Sequence, residues 1–160
     1  MTRTSWLDRI LPPSVDNTYR GRRLALGLLG ALVAVRVVMG ANSIVNGSSV
    51  ASSADGIPLD MFPPAAAGTV VALFSLVGLS HLIIGLLGVL VLVRYRALIP
   101  FIFALTLLDH AAGELILQAM PIATSGTPPG GAINLGLFAL ELTGFALSLW
   151  DRGLPATPAD

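Results

Sequence analysis

Six ionisable side chains stand where the surrounding sequence is otherwise apolar: Arg36, His81, Asp109, His110, Glu114 and Glu141. Together they offer one permanent cation, three carboxyls and two imidazoles. That set can hold an ion pair, move a proton, or hold the polar head of an otherwise apolar molecule. Asp109 and His110 are adjacent, and Glu114 follows His110 by four residues, so His110 and Glu114 share a helical face while Asp109 is turned about 100° away. The two histidines, His81 and His110, are on different helices at similar depth and could ligate a metal or the iron of a b-type haem through neutral imidazole nitrogen. No carboxylate-histidine repeat accompanies them on two helices, so neither a metal nor another cofactor is expected. With no cysteine in the chain, a thiolate nucleophile, a disulfide relay, an iron–sulfur cluster and covalent c-type haem are all excluded.

The elements that must position these groups are membrane spans. Apolar residues make up 54% of the 160 and charged residues only 11%, and the mean hydropathy is +0.83, a composition far from that of soluble domains. Four apolar segments, at about 24–45, 68–93, 98–119 and 132–150, each approach the ~20 residues that cross a ~30 Å hydrocarbon core. Every one of them carries at least one of the six groups. An Asp or Arg at the centre of a span costs about 2.5 to 3.5 kcal/mol on insertion. The third span, with two carboxyls and a histidine, therefore needs partners. The expected fold is all-α, an integral membrane four-helix bundle in which the polar faces meet inside.

Arginine counting orients the bundle. All nine basic residues are arginine. Arg3, Arg9, Arg20, Arg22 and Arg23 precede the first span, Arg94 and Arg96 join the second to the third, and Arg152 follows the fourth. Short arginine-bearing loops stay cytoplasmic, which predicts an N-in, C-in topology in a bacterial inner (plasma) membrane. The chain then divides into a cytoplasmic segment 1–23, a transmembrane domain 24–150 and a cytoplasmic tail 151–160. The first apolar run has no Ala-x-Ala exit and reads as an anchor rather than a cleaved signal. Ahead of it Trp6, Leu7, Ile10 and Leu11 recur at helical spacing, which predicts a short helix on the membrane surface before Pro12-Pro13.

The connection 46–67, rich in Ser, Gly, Pro and Asp, is long for a helix bundle. Leu59, Met61 and Phe62 give it an apolar surface expected to fold over the outer mouth. On the second span Ser75, Gly78, His81, Gly85 and Gly88 mark a face for close backbone approach, as do Arg36, Gly40 and Ser43 on the first. Arg36 calls for a carboxylate partner. Glu114 is the leading candidate and Glu141 the second, both within reach of an arginine side chain at 1.5 Å per residue, the choice resting on which helices neighbour the first.

The segments Asp16 to Gly21, Val38 to Ile44, Ala54 to Asp60 and Arg94-Tyr95-Arg96 resemble a group of uncharacterised small bacterial four-span membrane proteins and, more loosely, the DoxX-like class. These motifs carry no assigned catalytic residue, and the resemblance to DoxX-like proteins implies an association with redox or quinone-linked membrane complexes. The reading favoured by the residues is non-catalytic: an accessory subunit, or a bundle binding an apolar ligand at the intramembrane polar cluster. The alternatives are a redox protein using quinone or haem b, and an oligomeric or proton-coupled transporter component. The expected partners are the lipid bilayer and a membrane protein or a second copy of the chain. No basic stripe suits nucleic acid.

Overall fold

The computed structural model describes residues 6–150. Among these residues the structure is entirely helical. A five-residue helix, α1 (Trp6–Ile10), leads to α2 (Arg23–Val45). After α3 (Gly47–Ser49) come α4 (Pro64–Arg94), α5 (Ile99–Ala119) and α6 (Gly130–Leu149). The helices α2, α4, α5 (with the 3₁₀ turn before it) and α6 are long and apolar enough to cross a membrane. Arg3, Arg152 and the tail 151–160 lie outside the described residues.

Proline sets two of the boundaries. Pro64 opens α4 and Pro100 sits in the first turn of α5, where the missing N–H would have had no partner and the fixed φ suits a helix start. The Pro63-Pro64 pair thus starts α4 four residues ahead of the expected span. At 31 residues, α4 is about 46 Å long at 1.5 Å per residue, longer than a ~30 Å hydrocarbon core.

Helix α2 is central. It packs most extensively on α4, then on α6, and α6 in turn packs on α5. The α2–α4 seam is a backbone-to-backbone contact. A Cβ on Gly40 would stand 2.7 Å from the carbonyl oxygen of Gly78, and one on Gly78 would stand 2.6 Å from Cβ of Ser43. Ser75 Oγ donates across the same seam to the Ser43 carbonyl at 3.3 Å. Between α5 and α6 the ring of Phe103 occupies the space a side chain at Gly144 would need.

The hydrophobic core, formed by Ala25, Leu29, Leu32, Val33, Val91, Ile99, Ile102 and Phe103, belongs to one half of the bundle. Every buried residue of α5 lies between Ile99 and Thr106, and every buried residue of α6 lies at Glu141 or beyond. No residue in the second half of α5 or the first half of α6 is fully buried.

The core end carries the arginines. There the Arg22 N–H donates to the Leu147 carbonyl, the Ala97 N–H to the Asp16 carbonyl, and Arg9 to the Leu149 carbonyl. Arg22 also stacks 5.2 Å from the Trp150 ring.

At the opposite end the first connection is more helical than its composition predicts. It continues through a π-turn at Val50–Ala54 and a 3₁₀ turn at Leu59–Met61, with Ser52 and Ser53 hydroxyls bonded back to carbonyls at 48 and 49. Gly56, at φ +68°, turns the chain in a conformation that suits glycine. Its carbonyl accepts both the N–H and the hydroxyl of Ser125, at 2.7 and 3.1 Å. The residues buried by this docking are Ala51, Gly56 and Ile57. Met61, expected in the apolar cap, is instead 78% exposed.

Candidate functional site

Where the core ends, four side chains from three helices meet. Arg36 of α2 donates through Nη1 to Asp109 Oδ2 of α5 at 2.9 Å and through Nη2 to Glu141 Oε1 of α6 at 3.0 Å. The other oxygen of Glu141, Oε2, lies 3.1 Å from His110 Nδ1. Glu141 is thus held on both oxygens and is fully buried, and Arg36 is nearly so. The His110 ring meets Phe138 edge-on, with centroids 5.3 Å apart. Below the cluster Thr106, buried, bonds back to the Phe103 carbonyl. The fork of a guanidinium matches two carboxylates at once, and in a low-dielectric interior such a fork holds three helices in register.

His81 of α4 is within electrostatic range of Arg36, Asp109, His110 and Glu141, without a direct hydrogen bond to them. Glu114 is the one candidate standing apart. It is exposed, and its Oε1 accepts a 3.3 Å hydrogen bond from Gln118 on its own helix. Arg36 therefore pairs with Asp109 and Glu141, not with the leading sequence candidate. The reason is axial. Glu114 lies five residues past Asp109, about 7.5 Å further along α5 at 1.5 Å per residue, in the part of that helix with no fully buried residue. Asp109 and His110, though turned 100° apart, both reach the cluster because it lies between their two directions.

The cluster is closed on one side and open on the other. Asp109 keeps 41% of its side chain exposed, and Leu108 beside it is exposed. The arrangement is a charged layer over the apolar core, beyond which α2 and α4 stay in close contact while α5 and the start of α6 have no fully buried residue. Arg36 Nε is buried there without a hydrogen-bond partner. Among the described residues no group of three or more His, Asp or Glu is gathered closely enough to hold a metal ion.

These features define the class: an all-helical chain with four membrane-length helices and a buried Arg–Asp–Glu–His cluster between them. No protein-family model, curated protein or solved structure matches the chain.

Proposed function

We propose that the chain is a multi-pass protein of a bacterial plasma membrane, with both termini cytoplasmic, that binds an apolar molecule by its polar head and catalyses nothing itself. The orientation is supported by the arginines: Arg9, Arg20, Arg22, Arg23, Arg94 and Arg96 all belong to the core end, and short loops retaining arginine stay inside. The observation that carries the binding reading is the place of the cluster, with Asp109 41% exposed at the point where α5 has its last fully buried residue, Thr106, behind it. An ionisable group at membrane depth is costly and marks a functional site unless it is fully enclosed by partners. Arg36 and Glu141 are enclosed; Asp109 is not.

The test is mass spectrometry of small molecules retained by the protein purified in mild detergent. An amphiphile enriched with the wild type, and lost from an Arg36→Leu/Asp109→Leu/Glu141→Leu variant, supports the reading. Identical small-molecule profiles from the two proteins count against it. A membrane protein recovered stoichiometrically with both would favour the accessory-subunit role instead.

A further inference from the structure

The charges of the cluster do not cancel. Facing one another are Arg36 from α2, His81 from α4, Asp109 and His110 from α5, and Glu141 from α6. With both carboxyls ionised and both imidazoles neutral, one guanidinium meets two carboxylates, and a single negative charge is left over. A net charge at this depth in hydrocarbon is unfavourable. One additional cation brings the site to neutrality. A proton shared within the cluster does so, and the closest contact in it outside the Arg36 pairs is His110 Nδ1 to Glu141 Oε2 at 3.1 Å. An anion would move the count the wrong way unless both imidazoles were protonated.

Of the two carboxyls in the cluster, Asp109 is the one open to an incoming molecule. Glu141 has both oxygens engaged and no exposure. Asp109 makes a single hydrogen bond, through Oδ2 to Arg36. Its Oδ1 accepts none from the described residues, and its side chain is 41% exposed. The exposed surface of α5 on either side of it is largely apolar, with Leu108, Leu115 and Ile116 exposed and Glu114 the one exposed acid. A small bare ion needs several oxygen ligands at once, whereas a delocalised organic cation needs one carboxylate and apolar walls.

We propose that Asp109 is the binding residue of a one-cation exchange site: a lipophilic organic monocation docks against its carboxylate, and the single proton held by the cluster leaves to the aqueous phase. The site is neutral before and after, one positive charge having replaced another. This rests on the ligand-binding reading above and specifies the head group as cationic.

The experiment uses the purified full chain in detergent with three probes of similar shape: tetraphenylphosphonium, its anionic counterpart tetraphenylborate, and neutral triphenylphosphine oxide. Binding is followed by calorimetry, and proton release by a pH dye in weak buffer. Tetraphenylphosphonium is expected to bind saturably and to release one proton per cation. Its affinity should rise up to about tenfold per pH unit while the cluster is protonated. Asp109→Asn should abolish both signals, and Glu114→Gln should leave them unchanged. If Asp109→Asn does not fold, the proton release and pH dependence of the wild type decide. Cation binding without proton release, or preferential binding of the borate or the oxide, overturns the exchange inference and leaves the ligand-binding reading standing. If no probe exceeds empty micelles, both fall.

Discussion

Arg36 and Glu141 stand 105 positions apart in the chain, yet Nη2 and Oε1 meet at 3.0 Å with the carboxylate fully buried. Because Glu141 also faces His110, and Arg36 also holds Asp109, removing any one group strands the others. Arg36→Leu is expected to lower stability by about 3–5 kcal/mol, the usual effect of leaving a buried charge unpaired. Arg36→Leu combined with Glu141→Leu should recover a substantial part, and Arg36→Leu with Glu114→Leu should recover none. Thermal unfolding of the three variants in detergent measures this, and equal rescue by the Glu114 change would contradict the geometry.

The α2–α4 seam makes a sharper demand on residue size. Gly40→Ala places a methyl group 2.7 Å from both the Gly78 carbonyl oxygen and the Leu82 amide nitrogen. Backbone cannot yield as a side-chain end can, so the helices must separate, at a cost of about 1–3 kcal/mol. Gly27→Ala, where the new methyl meets nothing within 4 Å, should leave stability unchanged or slightly raised through helix propensity. A lowered melting temperature for both variants alike would argue against a close seam at Gly40.

Docking of the first connection on the third should weaken as pH rises. Burial of Asp55 raises its pKa above 3.8, so its folded form takes up a proton more readily than its unfolded form. The stabilisation is complete below about 3.8, declines as pH climbs through the raised folded value, and is flat above it. Protease cleavage between 50 and 60 should therefore be slower in acid than at neutral pH, after correction for protease activity. Asp55→Asn should give slow cleavage at both. Cleavage of the wild type that is independent of pH would contradict the linkage.

Orientation is tested by thiol labelling, for which the absence of native cysteine provides a clean background. Ser49→Cys and Thr127→Cys, both exposed at the end away from the arginines, should react in intact cells with a membrane-impermeant maleimide. Asn17→Cys, exposed at the arginine end, should react only after lysis. The reverse pattern would invert the topology.

What the sequence determined by itself is what depends on composition and local spacing. Four apolar runs of membrane length specify four helices because in hydrocarbon the backbone must satisfy its own hydrogen bonds. Gly40, Gly78, Gly85 and Gly88 announced the α2–α4 contact because only small residues let two backbones approach so closely. That Arg36, Asp109, His110 and Glu141 lie at a similar level along their helices was legible too, since position along a helix follows residue count at a fixed rise. Partner choice was not. Asp109 and Glu114 are both on α5, and nothing local to that helix says where it leaves its neighbours. That is decided after Thr106, the last fully buried residue of α5, beyond the packing of Phe103 over Gly144. Likewise the serine-rich connection, which composition reads as irregular, is held in helical turns and joined to a distant loop through the Gly56 carbonyl. Both outcomes depend on groups brought together from far along the chain, and only the packed tertiary structure sets those distances.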